Sequence, residues 1–123
     1  MSQSFFVGGK IPDLNTLIDA AKRRRGGWSG YAMLKDEWTR IVAYEIKKAK
    51  LKPMAKAFIE YEWRELNKRR DPDNITGGGH KLLNDGLVKA GILKNDGWTE
   101  IVGFADTFTV VEKGEEGVMV TLR

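Results

Sequence analysis

The feature that most constrains the fold is a segment in which large apolar side chains alternate with charged ones. Ile59, Tyr61 and Trp63 are each followed by a charged residue. A period of two predicts a β-strand that buries one face and leaves the other in water. Other elements have to cover the buried face, so the sequence predicts a sheet with helices packed against it.

Two helical patterns precede this strand. The first begins at Pro12-Asp13 and has the i, i+3, i+4, i+7 spacing of one buried stripe. Its apolar residues are Leu14, Leu17, Ile18 and Ala21. A basic loop is predicted after it, at Arg25-Gly26-Gly27. The second helix is predicted from about Tyr31 to Lys50, and Pro53 lies beyond its end. Its predicted core face consists of Leu34, Trp38, Ile41, Val42 and Ile46.

The chain after the alternating strand predicts one helix and two strands. A polar loop is expected over Lys68–Asn74, and a helix is expected after Gly77-Gly78-Gly79, ending at Gly91. The apolar side of this helix consists of Leu82, Leu83, Leu87 and Ala90. Ile101–Glu112 and Val118–Leu122 have strand composition, and the short glycine-containing turn between them predicts a hairpin.

These elements, with a first strand at Phe5-Phe6-Val7, give the order β-α-α-β-α-β-β. The predicted fold is therefore a single α/β (α+β) domain over residues 1–123, in which a mixed sheet of about four strands packs against helices. A chain of 123 residues fits one core.

Composition excludes several classes of protein. The chain has no cysteine, which excludes disulfides, thiolate nucleophiles and zinc ribbons. No apolar run approaches the ~18 residues of a membrane-spanning helix. The first residues lack the basic and apolar regions of a signal peptide, so we expect a cytoplasmic protein that does not contact a membrane.

Basic residues occur in tight runs, although the net charge is only +4. Two runs are candidate DNA-binding segments: Lys22-Arg23-Arg24-Arg25 and Lys68-Arg69-Arg70. Such clusters bind the phosphates of a polyanion, and Trp28 and Tyr31 stand close to the first run as candidates for stacking on bases. A third group, at positions 47, 48, 50 and 52, is also lysine. The alternative is that these runs are solvated helix ends, where Lys and Arg are favoured.

Asp71 and Asp73 are candidate metal ligands. In an extended backbone, side chains two residues apart point the same way, so both carboxylates would face one point. Two such charges repel each other unless a cation lies between them, and Mg²⁺ prefers oxygen ligands. Asp96 is the candidate third ligand, if the intervening helix returns it to this loop. The alternative is that Asp71-Pro72-Asp73-Asn74 is a turn and a helix cap.

Lys81 and Asp85 are spaced to pair on one face of a helix. If that helix starts beside the loop of Asp71 and Asp73, Lys81 in its first turn would lie near the metal and stabilise charge on a phosphate. The alternative is an exposed ion pair without a catalytic role.

The order of these motifs resembles the RusA family of Holliday junction resolvases. The pattern R-R-D-P-D-N begins at Arg69, K-x-x-x-D-G-L-x-x-A-G-I begins at Lys81, and N-D-G-W begins at Asn95. The segment Gly9–Asn15 is also similar to the start of that family. The resemblance implies a homodimeric endonuclease that depends on Mg²⁺, with Mn²⁺ as a substitute. Such an enzyme nicks two strands symmetrically at a four-way DNA junction.

The resemblance also implies roles for individual residues. Asp71, Asp73 and Asp96 would be catalytic metal ligands and Lys81 the catalytic lysine. Asp85 and Asn74 would support them. Residues 76–80 lengthen the gap before Lys81 relative to shorter family members, and His80 has no counterpart there.

Three functions follow as hypotheses. The first is an Mg²⁺-dependent, structure-selective endodeoxyribonuclease that resolves Holliday junctions in recombination and repair. The others are a nuclease for other branched DNA and a DNA-binding module without catalysis. Three aspartates beside basic runs favour a nuclease, since a binding module has little use for them.

Overall fold

Helices and strands follow one another in the predicted order, with one short hairpin added. The computed structural model describes residues 2–25 and 28–123, so the predicted loop glycines Gly26 and Gly27 lie outside it. The elements are β1 (Gln3–Gly8), α1 (Leu14–Ala21), β2 (Arg24–Arg25), β3 (Trp28–Ser29), α2 (Gly30–Lys48), β4 (Ala57–Glu65), α3 (Pro72–Lys89), β5 (Ile101–Val110) and β6 (Gly117–Leu122). The two-residue strands β2 and β3 pair with each other apart from the main sheet.

The main sheet is mixed and has the strand order β1-β6-β4-β5. β6 is antiparallel to both of its neighbours, whereas β4 and β5 are parallel. The predicted hairpin between the last two strands is therefore wrong, because β4 lies between them. α3 connects β4 to β5, and such a crossover places two parallel strands side by side. β6 then occupies the other side of β4 and leaves β5 at the edge.

The core lies between one face of this sheet and the helices. Ile59, Tyr61 and Trp63 are all buried, which confirms the predicted alternation. The predicted core faces of α2 and α3 are largely confirmed, whereas the stripe of α1 is shifted from its predicted position. α1 buries Leu17 and Ala20, while Leu14 and Ile18 are exposed, because this short helix is covered on one side only. α2 buries Val42, Ala43 and Ile46, and Trp38 and Ile41 pack at the margin of the core.

α3 begins earlier than the sequence predicts. Pro72 is its first residue, so Gly77-Gly78-Gly79 lies within the helix rather than before it. A Cβ on Gly78 would lie 2.4 Å from the backbone carbon of Asp13, and one on Gly79 would lie 2.2 Å from the Trp63 ring. These glycines therefore allow close packing of α3 on α1 and β4. The helix ends as predicted at Gly91, whose φ is +79°.

α2 and α3 are the two long helices, with 19 and 18 residues. They pack closely because Gly86 leaves space for Val42; a Cβ on this glycine would lie 2.2 Å from the valine side chain. Within the described residues, none of the helices combines the length and the apolar character needed to cross a membrane.

Candidate functional site

The first candidate ligands, Asp71 and Asp73, lie at the start of α3. Asp71 is the N-cap residue with an extended backbone, and Asp73 is already helical. The prediction that both lie in an extended loop is therefore wrong. Asp71 takes the N-cap position that the alternative interpretation expected, and the role of both residues as metal ligands stays a prediction. Both residues are exposed. The Asp71 side chain makes no capping hydrogen bond within α3, all of whose residues are described. Negative charge is favourable at this helix end.

Arg70, which precedes this cap, is held inside the chain. Its Nε and Nη2 donate to the Glu65 carboxylate at 3.0 and 2.8 Å. Its Nη1 donates to the Ile11 carbonyl oxygen at 2.7 Å and lies 3.4 Å from Oδ2 of Asp13. The Arg70 side chain is only 11% exposed. Its guanidinium joins β4 to the segment before α1, which leaves little of it exposed for the predicted contact with DNA phosphate.

Asp13 is the buried charge that completes this network. Its Oδ1 caps α1 by accepting from the backbone N–H and the hydroxyl of Thr16, each at 2.8 Å. Burial acts to raise the pKa of Asp13, but the hydrogen bonds from Thr16 and the charge of Arg70 outweigh it and hold the pKa below 3.8. The ionised carboxylate therefore stabilises the junction of α1 and α3.

Asn74 adds a second contact at the same junction. Its Oδ1 accepts from the backbone N–H of Asn15 at 2.9 Å, in the first turn of α1. Asn74 thus makes a capping contact between helices, and its supporting role at a metal site stays a prediction. With Arg70 and Gly78, it fixes the start of α3 against the start of α1.

Asp96 lies at the opposite end of α3. An 18-residue helix is about 27 Å long, with Asp71 just before it and Asp96 in the loop that follows it. The helix therefore carries Asp96 away from Asp71 and Asp73 rather than back to them. Among residues 2–25 and 28–123, no three His, Asp or Glu side chains lie close enough together to hold a metal ion. The predicted cluster of three aspartates does not form within one chain.

The charge of Asp96 acts instead on Tyr61. The tyrosine hydroxyl donates to Oδ1 of Asn84 at 2.6 Å. Burial is the main cause that raises the pKa of Tyr61, and the carboxylates of Asp106 and Asp96 raise it further. Tyr61 therefore stays protonated at neutral pH and serves as a hydrogen-bond donor.

Lys81 forms the predicted pair with Asp85, with Nζ 3.5 Å from Oδ1. Asp85 also contacts Nζ of Lys35 on α2 at 3.3 Å, so it joins the two long helices. The premise that Lys81 lies in the first turn of its helix is wrong. Because α3 starts at Pro72, Lys81 lies about 13 Å along the helix axis from that residue.

His80 and Asp106 form a pair that the sequence did not indicate. Nε2 of His80 lies 2.7 Å from Oδ1 of Asp106, which also accepts from Nε1 of Trp63 at 2.8 Å. The imidazole packs against the rings of Tyr61 and Phe104, with centroids 4.4 and 4.9 Å away. A carboxylate that binds one imidazole nitrogen fixes the ring and leaves the other nitrogen for a second partner. The pair joins α3 to the edge strand.

The other basic residues of the predicted runs, where their side chains are described, lie at the surface. Lys68 and Arg69 are exposed beside Asp71. Lys22 and Arg23 are exposed after α1, and Nζ of Lys22 lies 4.0 Å from Asp19. The backbones of Arg24, Arg25 and Trp28 form part of the short hairpin, but their side chains lie outside the described part of the structure. Lys47 and Lys48 occupy the last turn of α2, as expected for a helix end.

The edge strand β5 has an apolar exposed surface. Four of its side chains are between 42 and 58% exposed: Val102, Phe104, Phe108 and Val110. Trp98, in the loop that leads into β5, is 99% exposed. At the other end of β5, a groove of about 260 Å³ opens between this strand and the start of α3. Large apolar patches of this kind mark interaction sites.

No protein-family model matches this chain, and its sequence matches no curated protein. The resemblance to the RusA family therefore depends on the motifs within residues 69–98 and on the segment Gly9–Asn15.

Proposed function

We propose that this protein is a metal-dependent endonuclease of branched DNA, with the Holliday junction as its substrate in recombination and repair. The observation that carries the proposal is the pair of exposed carboxylates at the start of α3, Asp71 and Asp73, beside exposed Lys68 and Arg69. Carboxylate oxygens suit Mg²⁺ or Mn²⁺, and the neighbouring cations suit a phosphate backbone. The RusA-like order of the motifs supports the same function.

A single chain does not fit the expected metal ion, because Asp96 lies at the far end of α3. A second copy of the chain would supply the missing carboxylate. Among the strands that the structure describes, β5 pairs with a neighbour on one side only, and it is 10 residues long. Two copies of β5 that pair antiparallel place the start of one strand beside the end of the other. Asp71 and Asp73 would then lie near Asp96 of the partner subunit, in each of two equivalent sites.

The proposed protein is therefore a homodimer whose metal sites are each shared between subunits. Mg²⁺ held there would polarise a phosphate and lower the pKa of a bound water. Lys68 and Arg69 would bind the DNA backbone next to the site, and Lys22 and Arg23 would extend this contact. Phosphate contacts position DNA without reading its sequence, as a structure-selective enzyme requires.

The Arg70 network has a positioning role in this proposal. Arg70 lies directly before Asp71 and is bound to Glu65 and Asp13, so the two carboxylates start from a fixed backbone. A fixed first turn keeps both carboxylates oriented before any ligand binds. A two-fold dimer with two such sites matches the two-fold symmetry of a four-way junction.

The test is cleavage of a labelled four-way junction, with a linear duplex as control, each with and without Mg²⁺. Wild type should cleave only the junction and only with the metal. Asp71→Asn, Asp73→Asn and Asp96→Asn should each abolish cleavage while the circular dichroism spectrum is unchanged. Junction binding should persist or strengthen, because a negative charge near phosphate is removed.

Mixed dimers test the sharing of the site. When inactive Asp71→Asn and Asp96→Asn chains are mixed and allowed to exchange, half of the dimers contain one chain of each kind. Each mixed dimer keeps one intact site, so about a quarter of the wild-type sites return. Mixing Asp71→Asn with Asp73→Asn is the matched control and should restore nothing.

Recovery in neither mixture would contradict the shared site, and cleavage by the single variants would contradict the metal ligands. Junction binding without cleavage by wild type would favour the binding module, and cleavage of forks or flaps in preference to junctions would favour another branched substrate.

A further inference from the structure

We propose that Trp98 is the anchor of the homodimer, inserted into the apolar groove at the end of β5 of a second copy of this chain. The inference rests on the dimer in the proposed function and adds the interface that forms it. Trp98 is 99% exposed, and an indole ring left in water is costly unless a partner covers it. Trp is also among the residues that most often dominate binding energy at protein interfaces.

The groove has the size and lining that an indole ring requires. Its volume is about 260 Å³, and its apolar walls are Pro72 and Ile75 of α3 with Phe108 and Val110 of β5. Asn67 and Asp71 also line it and carry oxygen atoms that accept hydrogen bonds. A buried indole N–H usually finds such an acceptor. The groove therefore offers apolar walls for the indole ring and a hydrogen-bond acceptor for its N–H.

The positions of anchor and groove on the chain point to a second copy as the occupant. Trp98 lies three residues before β5, and the groove lies where β5 ends. Antiparallel pairing of two copies of β5 brings the start of one strand to the end of the other. Trp98 of the partner subunit then reaches the groove, and the symmetric contact forms at the other end. A single two-fold axis thus places Trp98 of each chain in the groove of the other chain.

The surface available is close to what a stable dimer needs. Trp98 and the exposed side chains of β5 together present roughly 600 Å² of apolar area per chain, since a large aromatic side chain buries about 150–250 Å². A standard interface takes about 800 Å² from each partner. The unpaired backbone edge of β5 adds main-chain hydrogen bonds.

The groove carries charges of both signs, because Lys68 and Arg70 line it together with Glu65. In the proposed dimer, Lys68 would offer a partner to Asp96 or Glu100, which flank Trp98. Asp71 also lines the groove, at the place where the proposed function puts the shared cation.

The experiment is sedimentation velocity over a concentration series, with Mg²⁺ and without DNA, so that its result does not depend on cleavage. Wild type should dimerise. Trp98→Ala and Val110→Lys, which place their changes on the anchor and on the groove wall, should each raise the dimer dissociation constant at least about 100-fold, since every dimer loses two contacts. Tyr44→Ala is the matched control, because Tyr44 is an exposed aromatic residue on α2, outside β5 and the groove; it should change the constant less than about twofold.

Both test positions are exposed, so the variants should keep the wild-type circular dichroism spectrum. A monomeric wild type, or a dimer that both substitutions leave intact, would overturn the proposal. If Trp98→Ala keeps the dimer and weakens junction binding instead, the side chain stacks on DNA bases and the proposal is wrong. A failure of wild type to cleave any DNA would overturn the proposed function and leave the anchor to be judged by sedimentation alone.

Discussion

The two ends of α3 are built in different ways. At its start, Arg70, Asn74 and Gly78 all contact residues 11–15, which lead into α1. At its far end, the chain passes into the loop before β5, where Asp96 is exposed and Trp98 is almost wholly exposed. The start of α3 is held against the segment before α1 by these contacts, whereas the loop after its far end leaves the buried Ile92 and Leu93 and carries Asp96 and Trp98 into solvent.

The two ends of α3 therefore have different roles in the proposed dimer. The carboxylates of Asp71 and Asp73 project from a helix whose first turn is fixed by an ion pair, a cap and a close backbone approach. Asp96 is carried on a surface loop, and such loops often carry binding residues. In the proposed dimer, the fixed end supplies the rigid half of each site and the exposed end completes the site of the partner. Three substitutions test the fixed end and the middle of the helix.

The largest expected effect comes from adding a methyl group at the fixed end. Gly78→Ala places a Cβ 2.4 Å from the backbone carbon of Asp13 and 2.6 Å from the carbonyl oxygen of Pro12. Backbone atoms cannot rotate away, so α3 has to move off α1, at a cost of about 3 kcal/mol in the free energy of unfolding. Urea denaturation measures this loss.

Gly77→Ala is the matched control for this test. Its Cβ would lie 3.3 Å from the side chain of Leu14, which is exposed and able to shift. Alanine is the better helix former, so this variant should be as stable as wild type or up to about 1 kcal/mol more stable. If both variants were equally stable, the close approach of α3 to Asp13 would be refuted.

An intermediate effect is expected for the buried charge of the Arg70 network. Asp13→Asn keeps a residue that caps helices but removes the charge beside Arg70, which should cost about 1–2 kcal/mol of stability at pH 7. The folded state holds the pKa of Asp13 below 3.8, so its ionised form stabilises the fold above that pH. This contribution disappears as the pH falls through the lowered pKa.

The measurement is urea denaturation of wild type and variant between pH 7 and pH 2. The two stabilities should converge as the pH falls through the lowered pKa of Asp13, where the wild-type carboxyl takes up its proton. Asp19→Asn is the control, since Asp19 is exposed and 4.0 Å from Lys22, and its effect should be near zero throughout. A difference for Asp13→Asn that stays constant with pH would show that the loss is one of shape rather than charge.

Sequence patterns correctly predicted those helices and strands that depend on residues close together in the sequence. The alternation at Ile59, Tyr61 and Trp63 located β4 correctly because a period of two is a property of the strand itself. The start of α3 was missed because Gly77, Gly78 and Gly79 are poor helix formers, and their reason for being there is contact with Asp13 and Trp63. The predicted β5–β6 hairpin failed because a turn sequence does not reveal that a distant strand lies between.

In the candidate site, too, the sequence identifies the residues but not the contacts that they make. Asp71, Asp73 and Asp96 are recognisable as carboxylates in a motif, but their separation depends on how far α3 extends. The partners of Arg70 are Glu65, Ile11 and Asp13, two of which are more than fifty residues away in sequence. His80 and Asp106 meet only because α3 folds back over β5. Contacts of this kind are set by topology, which a local pattern does not contain.

The smallest effect is expected for Lys81→Ala, because Lys81 belongs to neither end of α3. Its side chain is 46% exposed, and its pairing with Asp85 at 3.5 Å should contribute about 0.3–0.5 kcal/mol in water. When Lys81 is removed, Asp85 keeps its contact with Lys35. The substitution should therefore leave the fold nearly as stable and the cleavage rate within about twofold of wild type.

Single-turnover cleavage of the four-way junction at saturating protein decides the role of Lys81. Lys89→Ala is the control, because this substitution removes an exposed lysine from the last turn of the same helix. A group that acts on charge developing in the transition state contributes to the chemical rate and little to ground-state binding. A loss of about 100-fold in rate for Lys81→Ala, with unchanged junction affinity and unchanged stability, would contradict the structural role. It would give Lys81 the catalytic role that the RusA resemblance implies, and it would require α3 to bring its middle, as well as its start, to the scissile phosphate. A rate within twofold, matched by Lys89→Ala, leaves Lys81 as a partner of Asp85 and confines the chemistry to the two ends of the helix.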